Sequence, residues 1–441
     1  MVNEKKSEKG FTANIPELRA AIEKKTGKTP EQLYDEREKR VRDAIQLRVP
    51  DRVPVSMRMT YFPAKYTGIP KSAAYYDAVA WRNAIIKSTL DYEPDMYQSA
   101  STAIAGPVLE LLNPTQTRWP GGTLDPNLSH QAIDVECMMQ DEYDLFLDDP
   151  TGYAIRYLLP RAYSSLEPLA HMPDIGYRFH NFPAVTPAFT GPEFLKMARA
   201  ILKSGHEQDK WQKVMGNLEQ ELADLGFLPH GTMGGAGGAP FDVISDFYRG
   251  MKGAMLDMYR CPDKLLAACD KILNGQIRRA VPADPKKRGN PKRLFLALHR
   301  GAEGFMSRKQ FEKFYWPGLK RAMEVSIDLG YAPMAFCEGK YGDRLEYFLE
   351  LPKGKAVVHL DQTDMVRAKD VLKDHVCIMG NVPSSILQVG SVQDVEEYCK
   401  KLIQYCGKGG GFILTNGSSL DEVNPANLKA MIDSVKKFRV D

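Results

Sequence analysis

No run of this chain approaches the roughly 18 consecutive apolar residues of a membrane-crossing helix. Its first residues, MVNEKKSEKGFTANIPELRAA, are positively charged but have no apolar stretch behind them, so they do not read as a secretory signal. No CxxC pair occurs among the seven cysteines. An odd number of thiols in a long chain reads as reduced and intracellular rather than as a disulfide framework. An excess of one charge is lacking as well. Lys and Arg number 59 against 56 Asp and Glu, a formal net charge of +3, with both signs interleaved. That excludes the basic footprint of a nucleic-acid binder. Neither glycine-rich stretch, HGTMGGAGGAPFD or GKGGGF, fits a phosphate-binding fingerprint. Glycines there permit tight turns and close backbone approach. The basic turn ADPKKRGNPKR reads as a solvated loop. The expectation is a soluble cytoplasmic protein with neither nucleic-acid nor membrane partner.

What the chain does have is alternation. Residues 1–50 carry both charge signs, and TPEQLYDEREKRVRDAIQL suits a surface helix. Beyond Val53, short apolar segments predict strands at 53–57, 96–99, 227–230, 293–299, 334–338, 357–361, 376–380 and 411–415. Helices between them announce their starts. Ser307 with Gln310 makes a capping box, Ser391 opens a helix stopped by Gly407, and Asn424-Pro425 opens the last one. Eight strands separated by helices predict a parallel sheet, and eight is the number that closes a (β/α)8 TIM barrel. The expected organisation is an N-terminal helical extension over 1–50 and a barrel over 51–441. A long insertion follows strand two, about 101–226. Its weak periodicity and loop signals suit a cover over one mouth of the barrel.

In such barrels chemistry sits at the carboxyl ends of the strands. Those ends here carry His230, His299, Glu338, His359, Asp361, Asn381 and Asn416. Convergent imidazoles and carboxylates suit a metal ion or acid–base work. Glu338, His299 and Asp361 are the catalytic candidates, and a carboxylate between an apolar strand and a glycine makes Glu338 the sharpest. His359 lies inside a strand and reads as a core histidine. Cys337 and Glu338 are neighbours, so only one faces the lumen of a regular strand. Cys399 and Cys406, seven apart on an amphipathic helix, read as packing residues.

Several segments carry a resemblance. RVRDAIQLRVPDRVPV, FYRGMKGAMLDMYRCPDKL, IMGNVPSSILQVGSVQDVEEYCKKLI and GGGFILTNGSSLDEVNPANLKAMI resemble the uroporphyrinogen decarboxylase superfamily over roughly residues 37–441. The resemblance implies a TIM barrel and one of two activities. Decarboxylases of the family carry Arg-Gln-Ala-Gly-Arg after strand one, an aspartate after strand two and Gly-His-Gly near the last strand. Here those places read Arg58-Met59-Thr60-Tyr61-Phe62, Gln98-Ser99-Ala100 and Gly417-Ser418-Ser419. The arginines that hold substrate carboxylates and the aspartate that binds the pyrroles are missing, which disfavours the porphyrinogen.

The other branch is cobalamin-dependent methyltransferases, which exchange a methyl group between a small molecule and a corrinoid protein. Thiol-specific members hold zinc with His-x-Cys-Gly at strand five and a final Gly-Cys-Gly. Phe336-Cys337-Glu338-Gly339 and Ser418 stand at those places. The thiol-activating site is not reproduced, although Glu338 keeps one ligand position.

The resemblance therefore implies a corrinoid-dependent methyltransferase acting on a methoxylated aromatic or another methyl ether or amine, with the corrinoid on a separate partner protein. Zinc at Glu338, His299 and Cys337 is the metal reading. Tyr61, Phe62, Tyr97 and Phe336 would wall the pocket, and His230, Asn381 and Asn416 would touch substrate. The rival readings are a decarboxylase-like lyase on another substrate and a non-catalytic binding protein. A homodimer is left open.

Overall fold

Apolar segments flanked by polar loops form eight short strands in two parallel sheets, beside a separate two-residue antiparallel pair (Thr117–Arg118 with Gln131–Ala132), in a computed structural model, which describes residues 11–99, 104–173, 175, 179–231, 235–284, 286 and 293–440. The extreme N-terminus, Ala100, part of the glycine-rich stretch (232–234) and most of the basic turn (285 and 287–292) lie outside the described residues. The strands of the two parallel sheets are β1 (Ser56–Thr60), β2 (Met96–Ser99), β3 (Leu228–Pro229), β4 (Arg293–Leu298), β5 (Ala332–Cys337), β6 (Val357–Leu360), β7 (Cys377–Val382) and β8 (Phe412–Asn416). All are parallel. β1, β2 and β3 form one sheet in that order, and β4 to β8 form a second in sequence order.

The sheets join where Val55 bridges Leu414, with the Leu414 N–H donating to the Pro54 carbonyl at 2.9 Å and the Thr415 hydroxyl to the Ser56 carbonyl at 3.0 Å. Between β3 and β4 no ladder pairing occurs among the described residues. Their side chains nevertheless meet, the His230 and Phe295 rings lying 5.7 Å apart. The first strand starts three residues later than the sequence suggests. Pro54 has no N–H to give to a ladder, so regular pairing begins only at Ser56.

Alternation along each strand divides inside from outside. Met57 and Met59, Tyr97, Leu294, Leu296 and Leu298, Ala335 and Cys337, and Val358 and Leu360 pack outward in the large core shared with the helices. Met96, Leu228, Met334, Val357, Cys377, Met379 and Ile413 form a separate inner cluster. Two helices precede β1, α1 (Ile15–Thr26) and α2 (Pro30–Ile45). A capping box between Thr29 and Gln32 starts α2. The sequence suggests a surface helix. Instead, Tyr34, Val41, Ala44 and Ile45 pack on the inner cluster and seal its amino end.

Elsewhere the capping reads through to the structure. The Ser307 and Ser391 capping boxes form, and Asn424 caps Pro425–Lys437. After Ser307 the helix passes through a π-turn over Phe311–Tyr315 before continuing as Trp316–Asp328.

Gly380 in β7 has φ +146°, and a Cβ there would meet the Leu360 carbonyl oxygen at 2.7 Å. Gly380→Ala is therefore expected to destabilise the chain by about 1–3 kcal/mol, read as a lowered midpoint in urea denaturation. An unchanged midpoint would show that the β6–β7 pair yields.

The stretch between β2 and β3 is more ordered than its sequence suggests. It contains a 24-residue helix, Pro192–Met215, whose buried residues are Met197, Ser204 and Trp211. One buried position every seven residues is too thin a stripe to stand out among Lys, Glu and Gln. Part of the stretch reaches the carboxyl ends of β1 and β8. Ser129 hydrogen-bonds Asp421, and the His130 ring lies 3.2 Å from the Tyr61 hydroxyl. Another part, at Glu136 and Met138, takes the Arg249 guanidinium from the segment after β3. No described helix is long and apolar enough to cross a membrane, and all seven cysteines are free thiols.

Candidate functional site

At the carboxyl end of β4 the chain leaves the sheet at His299-Arg300. The segment after β3, Pro240–Val243 continuing as a π-turn over Ile244–Tyr248, packs against it. π-turns are rare and often sit at functional sites. Asp242 and Asp246, four residues apart, both face this dipeptide. The His299 and Arg300 N–H groups donate to the two Asp242 oxygens at 3.0 Å each. His299 Nδ1 lies 2.5 Å from Asp246 Oδ2, and Arg300 donates to the other Asp246 oxygen at 3.0 Å. The remaining ring nitrogen, Nε2, looks toward Glu338 Oε2 at 3.8 Å. The side chains of His299 and Glu338 are 36% and 51% exposed, so this edge is open to a ligand.

The electrostatics follow. The Asp246 carboxylate raises the His299 imidazole to about 9 against the pull of burial, with Asp242 and Glu338 adding to the effect. His299 is therefore a cation at neutral pH, with Nδ1–H spent on Asp246. Asp242 is buried, which lifts its carboxyl to about 6 although the Tyr315 hydroxyl donates to it at 2.6 Å.

Between the strands, Arg58 adds a charge to this site. Arg58 on β1 turns inward and is 9% exposed. Its guanidinium donates to Gln98 Oε1 at 2.9 Å and covers the Phe336 ring, 3.9 Å from the centroid. Burial holds it down at about 10, while the Glu338 and Asp361 charges pull it upward. Among the described residues no carboxylate pairs with it directly. The arginines of the strand-one stretch are thus not wholly absent: the first is present and enters the interior. Phe336 stacks against Phe295 at 5.8 Å and lies 4.7 Å from the His359 ring. Asp361 accepts the Gly339 N–H at 3.2 Å, joining the loops after β5 and β6. It also borders a depression of about 710 Å³ lined in part by Thr363, Asn381, Tyr398, Lys401 and Ser418.

Of the residues expected at the site, His299, Glu338, Phe336 and Asp361 surround the Arg58 guanidinium or the His299 edge. The others are buried away from this edge or have their polar groups engaged within the fold. Tyr97 faces away from the interior, because Met96 and Gln98 on either side of it face in. Tyr61 is buried under the cover, its hydroxyl 2.8 Å from that of Tyr75. Phe62 stacks with Tyr66 and meets Tyr92 edge-on in the core. His230 is sealed in the interior with Nδ1 2.8 Å from the Ser56 hydroxyl, and burial pushes its imidazole well below its ordinary value. His359 is likewise buried, its Nε2 near the Asn416 carbonyl at 3.3 Å.

Both asparagine amides are already engaged. Asn381 donates to the Asp361 and Thr363 carbonyls at 3.0 and 2.8 Å. Asn416 ties β8 to the Arg58 backbone, accepting its N–H at 3.2 Å. Among the described residues no group of three or more His, Cys, Asp or Glu gathers as for a metal. The Cys337 thiol lies in the outer core, 3.7 Å from the Ala335 carbonyl, and burial pushes it well above its ordinary value. It cannot join Glu338 and His299, so the expected Glu338–His299–Cys337 set does not come together as a zinc site.

Asp242 and Asp246 were legible only as two carboxylates four apart in FDVISDFYRG. That spacing shares a face if the segment is helical, but no strand-end rule flags it.

The architecture defines a parallel α/β chain with a polar, part-buried site at the carboxyl ends of its strands. Comparison with known proteins then gives the kinship. Residues 228–438 match the family model for uroporphyrinogen decarboxylase (URO-D), so the resemblance read from the strand ends holds over that part of the chain. Among solved structures, a methyltransferase from Methanosarcina mazei superposes with a TM-score of 0.54 at 14% identity, covering 91% of this chain and 98% of that one. At that identity the likeness is one of fold. No curated protein matches the chain.

Proposed function

We propose that this chain is a methyltransferase that moves a methyl group between a small-molecule methyl ether and the cobalt of a separate corrinoid protein. The observation that carries the reading is the Asp246–His299–Glu338 arrangement, a charged imidazole with one N–H edge turned to Glu338 and open to solvent. Demethylating an ether breaks its O–CH3 bond and leaves the electron pair on oxygen. A proton delivered to that oxygen from His299 Nε2 makes it a competent leaving group. The proton leaves with the alcohol or phenol, and the ring takes its replacement from solvent at the open edge, where the Glu338 carboxylate beside the same nitrogen favours the charged ring. The corrinoid cobalt, on its carrier protein, supplies the nucleophile.

A methoxylated aromatic would meet the Arg58 guanidinium rather than the Phe336 ring beneath it, which is 3% exposed. A quaternary ammonium donor suits the site less. The face of Phe336 is already covered by Arg58, and His299 adds a second positive charge. The reading also takes the eight strands as closing into a (β/α)8 barrel, with β3 beside β4, and the setting as cytoplasmic.

The test incubates the purified chain with a reduced corrinoid protein and a panel of methoxylated aromatics. The expected result is release of the phenol in step with the spectral change of cobalt methylation. Glu338→Gln is expected to lower the rate by roughly 10²-fold. No cobalt methylation from any ether or amine donor would overturn the reading.

One observation favours a decarboxylase-like lyase as the second reading. Arg58 stands inside the fold at the first position of the family's arginine stretch, where it can hold a substrate carboxylate. Carbon dioxide release from an aromatic or pyrrolic acid, without any corrinoid protein, would favour it.

A further inference from the structure

The two aspartates after β3 divide their work on one dipeptide. Asp242 takes the backbone N–H groups of His299 and Arg300. Asp246 takes their side chains. A buried carboxylate spent on two backbone N–H groups and the Tyr315 hydroxyl is a fixed anchor. The second carboxylate, one π-turn further on, is then held at one distance from the imidazole.

We propose that Asp246 is the positioning residue of His299: it keeps the ring proton on Nδ1 and aims the Nε2 edge at Glu338 and the open rim beside it, while Asp242 holds the backbone that carries the ring. The inference rests on the reading of His299 as the proton donor to the leaving oxygen, and extends it to the residues that make it one.

The geometry has a pH consequence. The groups facing His299 are Asp246 and Asp242 from the segment after β3 and Glu338 from the loop after β5, with Arg300 sharing Asp246. The imidazole stays charged until pH rises through about 9. Removing the Asp246 charge returns it toward the ordinary histidine value of about 6.5, so the donor is lost at a lower pH. Asn in place of Asp still accepts from Nδ1–H, which separates the charge from the hydrogen bond.

The experiment follows the eight histidines of the ¹⁵N-labelled full chain by long-range ¹H–¹⁵N correlation between pH 5 and 10, His299 being assigned by its absence in His299→Gln. The expected wild-type ring titrates near 9 with Nδ1 protonated throughout. In Asp246→Asn its midpoint falls by about two units, and in Asp246→Glu it stays high. The basic limb of the methyl-transfer pH profile moves with it. An unmoved midpoint in Asp246→Asn overturns the proposal. So does a wild-type His299 that titrates near 6.5, a measurement that needs no variant to fold. The titration decides the positioning role even if no ether is turned over, and that second failure would fall on the proposed activity alone.

Discussion

Replacing His299 by glutamine is expected to lower methyl transfer by about 10²- to 10⁴-fold, the span of one general acid, while the fold stands. Both halves follow from position. The side chain is more than a third exposed and sits at a strand end, so glutamine of similar reach opens no cavity. The backbone bonds from residues 299 and 300 to Asp242 do not depend on the ring. Glutamine still reaches Asp246 with its amide but has no acidic proton for a departing oxygen. The loss therefore belongs to the chemical step. Single-turnover demethylation against donor concentration would show the maximal rate reduced and half-saturation little changed. Donors with better leaving groups should be hurt less, since a phenol bearing electron-withdrawing substituents needs less help from a proton. An equal loss for all donors, or a raised half-saturation at unchanged maximal rate, would show that His299 binds rather than protonates.

Particular residues show where the sequence was readable. Glu338 and His299 follow apolar strands, and a charged residue at such a boundary has few places to go except the rim. Strand placement followed from apolar runs between glycine and polar loops, and erred mainly where Pro54 delays pairing. Tyr97 was misplaced because a four-residue strand gives no alternation strong enough to say which face is inside. Its neighbours Met96 and Gln98 differ in polarity, yet both point inward. Asn381 and Asn416 look like ligand contacts by composition. In the fold, loop carbonyls and the Arg58 backbone already occupy their amides.

Arg58 was discounted because a pattern of several residues was compared as a whole. One arginine in an otherwise altered stretch still has to go somewhere, and its parity with Ser56 on β1 sends it inward. The contribution of Asp246 depends on a π-turn, which shifts side chains by a fraction of a turn and leaves no local sequence mark.

Replacing Asp95 by asparagine is expected to cost about 3–5 kcal/mol of stability, the penalty for breaking a buried ion pair by removing one partner. Asp95 is fully buried at the start of β2. Its carboxylate accepts from Arg52 at 2.7 and 2.9 Å, from Arg40 on α2 at 2.7 Å and from the Val55 N–H at 2.9 Å. Burial works to raise its pKa, but Arg52 and Arg40 more than offset this and hold it below the ordinary carboxylate value. The unfolded chain therefore binds the proton more readily than the folded one. The stabilisation is present above the unfolded value of about 3.9 and is lost as pH falls through the folded value. Urea midpoints for the wild type should decline as pH drops below about 4, whereas Asp95→Asn should start lower and decline less over the same range. Arg52→Met in the Asp95→Asn background should recover part of the loss, because it removes a stranded cation. Midpoints that match between wild type and Asp95→Asn at pH 7 would show the network to be solvated and dispensable. The same carboxylate fixes Val55, three residues before Arg58. A chain weakened at Asp95 should thus loosen the β1 end of the site before it unfolds, seen as faster amide exchange at Met57 and Arg58 than at β5 or β6.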